Sequence, residues 1–420
     1  PRRVAYVASE ELAKISAKLP ANRGRALLVH ALTSALGILR DKPADRDIDG
    51  TRPLQDPDPT AIVPRATIRV VRPSRASARD LCTFHNSAFV DRLLDIDAGR
   101  QREGDDEFGL EDDCAPFDGM PEYVLGVAGA TLDAVKVLMN DEADVAICWD
   151  GGRHHAHKSR ASGFCYVNDC VLALLALRRM LVPSSVSRRK ARVMYVDVDL
   201  HLADGVAAAF HVPQRSGPSN ILTLSLHHTA PGFFPVPLAP SSPGADGLEI
   251  ETAGDPFTLG ASIRAGASAH TYARVWAGVE TVARAFVPDV LVLQCGADAL
   301  AGDPCRVGNW CLGGVGGMGW CVARATALAP RLLLLGGGGY HSANTARAWA
   351  YLTSVVKGDA LSLDTPIPDH AAFPAYAPSF TLDVPPGAAR DENDDTHIDA
   401  VLRAFERAAE TVREKMKGAK

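Results

Sequence analysis

Short aliphatic runs, each too brief for a helix and separated by longer helical stretches, constrain this chain most. The runs 3–7, 67–71, 145–149, 192–198, 220–226, 289–294 and 331–335 are rich in Val, Ile and Leu. Segments of that kind suit strands buried on both faces of a parallel sheet. Stretches with helical spacing lie between many of them, at 123–139, 168–181, 262–286 and 345–357. The alternation predicts a single α/β domain with helices on both faces of its sheet. We expect that domain over residues 1–390, with a proline- and aspartate-rich loop insertion at 41–64 and a second loop at 235–247. From 391 the chain turns acidic, and 398–416 has helical spacing, so 391–420 reads as a linker and a C-terminal helix.

Composition removes several classes. An apolar fraction of 47% over 420 residues supports a sizeable core and excludes a disordered or collagen-like chain. Forty-four Lys and Arg against fifty Asp and Glu give a formal charge of −6, which argues against direct nucleic-acid binding over a broad basic face. A basic peptide remains compatible with that charge. No run approaches the ~20 apolar residues of a membrane span, and the first residues show no signal-peptide pattern. Nine cysteines, an odd number without Cys-x-x-Cys, suit free thiols in a reducing, intracellular compartment.

The polar residues gather just after the predicted strands. Run 145–149 leads into Gly151-Gly152-Arg153-His154-His155, and run 192–198 into Asp199-Leu200-His201-Leu202-Ala203-Asp204. Run 289–294 leads into Cys295-Gly296-Ala297-Asp298, and run 331–335 into four glycines, Tyr340 and His341. Parallel sheets bind ligands at the C-terminal ends of their strands, so four strands deliver His, Asp and Tyr to one edge. A core does not need that; an active site does. Asp197, Asp199 and His201 alternate, which puts them on one face of an extended backbone. Aspartates entering an apolar interior require a cation or hydrogen-bond partners.

With Asp298 arriving from another strand, Asp199 and His201 complete two carboxylates and one imidazole. Three such ligands leave an open position, the pattern of a catalytic zinc site, and oxygen-rich ligation also admits Fe²⁺, Co²⁺ or Mn²⁺. Beside a metal, His154 and His155 can share general acid, general base and electrostatic roles, with Asp197 and Asp204 as their carboxylates. The glycine run lacks the spacing of a phosphate cradle. It reads better as a tight turn that aims the Tyr340 hydroxyl at the metal, where it can stabilise an oxyanion. Gly163-Phe164-Cys165-Tyr166 and Gly232-Phe233-Phe234-Pro235 read either as core or as the walls of a narrow apolar channel.

These residues together resemble the zinc-dependent histone deacetylases. The resemblance rests on Gly151-Gly-Arg-His-His-Ala156, Ser162-Gly-Phe-Cys-Tyr-Val-Asn-Asp169, Tyr195-Val-Asp-Val-Asp-Leu-His201, Pro231-Gly-Phe-Phe-Pro235, Gly296-Ala-Asp-Ala-Leu-Ala-Gly-Asp-Pro304 and Gly336-Gly-Gly-Gly-Tyr340. It runs from about Val4 to Pro386 and looks most like class I. Within class I, the Cys114-Ala-Pro loop and Ile367-Pro-Asp-His-Ala-Ala-Phe373 are similar to the subtype that acts without a large corepressor scaffold.

The resemblance implies the arginase–deacetylase fold, with an eight-stranded parallel sheet. It implies zinc on Asp199, His201 and Asp298, with His155 as general base and acid backed by Asp204. His154 would be the electrostatic partner, backed by Asp197, and Tyr340 would hydrogen-bond the acetyl carbonyl. Asp113 would hold the substrate backbone at the rim; Gly163, Phe164 and Phe234 would line the acyl-lysine tunnel, with Cys305 near its mouth. Arg25 would sit at the floor of the internal cavity through which acetate leaves. Structural potassium is expected beside Asp197, with Ser225 on the same path, and near Phe210. The implied substrate is acetyl-lysine in histone tails or other proteins. The implied setting is the nucleus, with the cytoplasm also open, in chromatin regulation and transcriptional repression, and corepressor partners stay open.

The chain departs from the family pattern at Leu202-Ala203, where His-Gly is common, and at Arg153, where Trp is common. After Pro235 the usual glycine-rich continuation becomes Val-Pro-Leu-Ala-Pro. Two other readings compete: a deacylase of longer acyl-lysines or acetylpolyamines, and a catalytically weak acetyl-lysine-binding scaffold. The scaffold reading predicts a missing ligand, base or tyrosine, and none is missing. Arginase shares the fold but needs a second cluster of Asp and His, which the His154-His155 region lacks.

Overall fold

The computed structural model describes residues 2–39, 68–95, 99–183, 188–235 and 255–417. The 41–64 insertion and nearly all of the 235–247 loop lie outside those residues. In chain order the strands are β1 (Val4–Val7), β2 (Ile68–Val71), β3 (Val145–Cys148), β4 (Leu181–Pro183), β5 (Arg188–Lys190), β6 (Val193–Asp197), β7 (Ile221–His228), β8 (Thr258–Ile263), β9 (Val290–Gln294) and β10 (Arg331–Leu335). The α-helices are α1 (Glu10–Ser16), α2 (Arg25–Ala35), α3 (Ala78–Leu81), α4 (Ser87–Leu93), α5 (Met120–Met139), α6 (Asp169–Leu177), α7 (Asp204–Phe210), α8 (Ala269–Phe286), α9 (Met318–Ala325), α10 (Ser342–Lys357) and α11 (Asp395–Lys417).

Eight strands form one sheet in the order β2-β1-β3-β10-β9-β6-β7-β8, and every pairing is parallel. The β3, β6 and β9 strands are buried along their whole length, as their unbroken aliphatic runs require. The β2 edge strand instead exposes Arg69 and Val70, so charge blunts that edge. One apolar cluster covers the first face, where α2, α8, α10 and α11 pack; a second, built largely on α5 and α6, covers the other. Ile398, Val401, Phe405 and Val412 of α11 belong to the first of these clusters.

Register sets the position of the site. Leu335 pairs with both Cys148 and Gln294, and Gln294 pairs with Asp197, so β3, β10, β9 and β6 end at one level. Those four neighbours are the strands whose following loops carry the His, Tyr and Asp motifs.

Three differences from the sequence reading have local causes. β8 was not expected as a strand: Gly260, Ala261 and Ser262 interrupt its aliphatic signature, and its pairing along β7 buries it. The helix expected at 262–286 therefore starts only at Ala269, because Ser262 and Ile263 still pair with His227 and His228. The helix expected at 168–181 ends at Leu177, and Leu181 turns into a two-stranded antiparallel hairpin, β4 with β5.

Candidate active site

The central strands place two carboxylates against one imidazole. His201 Nδ1 lies 3.1 Å from Asp199 Oδ1 and 2.9 Å from Asp298 Oδ2. Both aspartates are at most 1% exposed. The other Asp199 oxygen accepts from Gln294 Nε2 at 2.9 Å and from the Gly338 amide at 2.8 Å. Asp298 Oδ1 accepts from the Leu200 amide at 2.9 Å. Burial, and then the charge of Asp199, push the Asp298 carboxyl up to about 7. Burial opposes a charge on His201, but Asp199 and Asp298 outweigh it and lift the imidazole to about 10. Two buried carboxylates this close cannot both ionise without a positive charge between them. Nδ1 of His201, in contact with both, marks where that charge belongs, so the donor set fits a divalent cation.

His201, Asp298 and Cys305 also offer three donor atoms within 4.8 Å of one another. A thiol must lose its proton to ligate a metal. Burial, and then Asp298 and Asp303, push the Cys305 thiol far up. Asp199 is held well below the carboxylate range by His154 and His201 against burial, so it offers an ionised oxygen to the same cluster.

Two histidine–aspartate pairs stand beside this cluster, with rings 3.9 Å apart. His154 Nδ1 meets Asp197 Oδ2 at 2.8 Å, and Tyr195 OH donates to the same oxygen. His155 Nδ1 meets Asp204 Oδ1 at 2.7 Å, and His157 Nε2 meets the other Asp204 oxygen at 3.2 Å. Burial lowers the charge tolerance of both rings, yet they settle apart. Asp197 and Asp199 overcome burial at His154 and raise it to about 9. Burial, and then the charge of His154, push His155 down to about 4. A pair driven apart in this way divides proton-holding from proton-accepting work.

The segment carrying both rings is tied down from behind. Asn168 Nδ2 donates to the carbonyls of His154 and Ala156, and Asp169 accepts from the amides of Gly152 and Arg153. The Arg153 guanidinium, which takes the place of a common Trp, is buried and donates to the Asp150 carbonyl at 3.0 Å.

Loops complete the approach. Gly163 has φ +52°, and a Cβ there would lie 2.6 Å from the His155 ring and 2.7 Å from Phe234, so only glycine fits between them. Phe234 packs edge-on to His155 at 4.8 Å, and Phe164 meets the Tyr340 ring at 5.7 Å. Burial, and then Asp298 and Asp199, hold the Tyr340 phenol well above its usual range, so it is a proton donor. Asp303, to which the sequence reading gave no role, accepts from the amides of Tyr340 at 2.7 Å and Cys305 at 3.0 Å. Asp113 is exposed, away from these contacts, in the short turn Asp112–Cys114. Behind the glycine loop, the buried Arg25 guanidinium donates to the Gly339 carbonyl at 2.8 Å and the Gly337 carbonyl at 3.0 Å. Burial, and then Arg153, lower Arg25 to about 10; a small cavity beside it is lined by Arg153, Asp150, His30 and Trp349.

Sequence reasoning missed Gln294 and Asp303 as site residues. Gln294 had a signal, since it is the one polar residue in the otherwise aliphatic strand Val290–Gln294. Asp303 stood inside a matched motif but works through backbone amides, which side-chain chemistry does not reveal. All nine cysteines are free thiols. Among the described residues no helix is long and apolar enough to cross a membrane.

A family model described as "Histone deacetylase domain" matches residues 54–356. The chain is 36% identical to "Histone deacetylase 8" of Danio rerio over 405 residues, which is 96% of this chain and 93% of that protein. It is 36% identical to "Histone deacetylase 8" of Xenopus tropicalis over 91% of this chain and 90% of that protein. With the Xenopus laevis protein of the same name the identity is 37%, over 80% of this chain and 97% of the relative.

Proposed function

The chain belongs to the histone deacetylase family, and from that premise we propose that it hydrolyses acetyl-lysine in proteins to free lysine and acetate. The observation that carries this reading is the convergence of Asp199 and Asp298 on His201 Nδ1, beside two histidines whose proton affinities are driven apart.

In this reading Asp199, His201 and Asp298 hold the divalent ion, with zinc as the expected metal and Fe²⁺ or Co²⁺ compatible with the same donors. When bound, the ion supplies Lewis acidity, polarising the acetyl carbonyl and acidifying a water. His155, neutral near pH 7, takes the proton of the attacking water as its oxygen bonds to the carbonyl carbon. Asp204 keeps the His155 ring oriented and supports the charge it acquires. His154 holds a proton, shared with Asp197, and adds positive charge beside the developing oxyanion. The Tyr340 hydroxyl donates to that oxyanion. As the C–N bond breaks, the proton on His155 passes to the lysine amine.

Gly163, Phe164 and Phe234 are assigned to the tunnel for the aliphatic lysine stem, Cys305 to its mouth and Asp113 to the substrate backbone at the rim. Arg25 is assigned to the cavity that receives acetate. Potassium is assigned to the carboxylate of Asp197 and the hydroxyl of Ser225. The substrate is assigned to acetylated histone tails or another acetylated protein, and the setting to the nucleus in chromatin regulation and repression. Residues 1–390 are taken as the catalytic domain, with 391–420 appended.

The test is release of lysine from an acetyl-lysine peptide by metal-reconstituted protein, with bound metal quantified. His155→Ala and Tyr340→Phe are run in parallel with longer acyl-lysines and acetylpolyamines. Turnover of acetyl-lysine that collapses in both variants while metal stays bound supports the reading. A full metal site without turnover of acetyl-lysine overturns it.

A further inference from the structure

The family resemblance assigns a monovalent cation to the neighbourhood of Phe210, and here the residues do not fit one. The Phe210 carbonyl, at the C-terminal end of α7, accepts from Arg215 Nη2 at 2.8 Å. Arg215 Nε donates to Asp255 Oδ1 at 2.8 Å, and its guanidinium carbon lies 5.8 Å from the centre of the Phe257 ring. Asp255 is completely buried, and its oxygens also accept from the amides of Val212 at 2.8 Å and Phe257 at 3.1 Å. His211 Nδ1 stands 3.9 Å from the same carboxylate. A potassium ion on the Phe210 oxygen would share that oxygen with a guanidinium in a mostly water-excluded pocket. Like charges so placed repel strongly.

We propose that Arg215 is a built-in cation that replaces the potassium expected at Phe210, so that this end of the molecule needs no bound monovalent ion. The inference rests on the deacetylase reading only for the expectation of that potassium. Guanidinium suits the task, because its fixed fork of donors serves the Phe210 carbonyl and the Asp255 carboxylate together. The arrangement has a second anchor: Lys415 Nζ, on α11, donates to the Arg215 carbonyl at 2.8 Å and the Ser216 carbonyl at 3.3 Å. The C-terminal helix therefore clamps the loop that presents the guanidinium. The other end of α7 is Asp204, which orients His155. Arg215 is thus a positioning residue that fixes α7 without an ion.

Crystals soaked in thallium(I), a heavy stand-in for potassium, test this directly. The wild type is expected to show an anomalous peak beside Asp197 and Ser225 and none beside Phe210. A wild-type peak within bonding distance of the Phe210 carbonyl would overturn the proposal. Arg215→Gln leaves that carbonyl and the Asp255 carboxylate facing one another, so this variant is expected to gain a thallium peak there. Its Tm should also rise, by about 5 °C, on exchange of choline chloride for potassium chloride beyond any rise in the wild type. Arg215→Lys, which keeps a positive charge, should show neither change. An Arg215→Gln variant that folds and acquires neither the peak nor the potassium-dependent Tm sinks the replacement idea. Loss of the Asp197 peak alone would count against the assigned potassium there and leave the Arg215 result standing.

Discussion

Asp197, Asp199 and Asp298 reach the site at or just beyond strand ends and are almost wholly buried, whereas Phe164, Phe234 and Cys305 hang from loops and keep partial exposure. The inner set is held by many bonds at once: Asp199 alone contacts His201, Gln294 and Gly338. The outer set is held mainly by ring contacts such as Phe234 on His155 and Phe164 on Tyr340. Register fixes the inner groups to within the tolerance of a sheet, while loop packing fixes the outer ones less tightly. The division teaches where chemistry and where selection should reside. Substitutions inside should abolish turnover; substitutions outside should change which substrate is turned over.

The largest effect is expected at the base. His155→Ala should lower kcat by about 10²–10⁴ with metal content unchanged. A drop of only a few-fold would erase the distinction between inner and outer residues. Tyr340→Phe, at the border between the two, should cost about 10²–10³ in kcat through loss of one oxyanion donor. Metal affinity measured by competition with a chelator should not move in that variant.

The frame behind the inner set makes a prediction about pH. His85 is buried and accepts from the Asn168 amide at 3.0 Å, and Asn168 in turn holds the His154 and Ala156 carbonyls. Burial pushes His85 down from 6.5 to about 4. The unfolded chain therefore takes up the proton first as pH falls. The neutral ring's contribution is complete above about pH 6.5 and drains away toward pH 4, a loss of about 3 kcal/mol. Urea unfolding at pH 7 and pH 4.5, on wild type and His85→Gln, checks this. The variant's stability should fall less over the same interval; an equal fall would remove His85 from the account.

Gln294 sharpens the comparison at smaller scale. Gln294→Leu removes the donor to Asp199 Oδ2 while keeping the strand's apolar character, and should weaken metal binding by about 10- to 100-fold. The same residue shows how far the sequence could be read. Asp199, His201 and Asp298 were legible because charged residues following an aliphatic strand have few structural reasons to be there. Gln294 was absorbed into its strand because one amide does not break an apolar run. Asp303 was illegible because it acts on backbone amides, and Arg215 because its partners, the Phe210 carbonyl and the Asp255 carboxylate, are brought close only by the fold. β8 escaped because small residues buried by a neighbouring strand carry no aliphatic signature. Phe164 and Phe234 were ambiguous between core packing and a channel wall, and only the family resemblance assigns them to a tunnel.

The smallest effect should come from the outermost residue. Asp113 is exposed, and burial together with Asp112 nonetheless raises its carboxyl, so neighbouring atoms shelter part of it. If it accepts from a substrate backbone amide, Asp113→Asn removes the charge and puts an N–H donor where one acceptor oxygen was, which weakens that bond. The bond is worth about 1 kcal/mol, a few-fold in binding. KM for an acetyl-lysine peptide should therefore rise about three- to tenfold while kcat holds, the signature of binding lost equally from ground and transition states. A mimic without backbone amides, free Nε-acetyl-lysine, should be indifferent to the substitution. A fall in kcat with that mimic would place Asp113 among the inner residues and break the division between chemistry at the strand ends and selection in the loops.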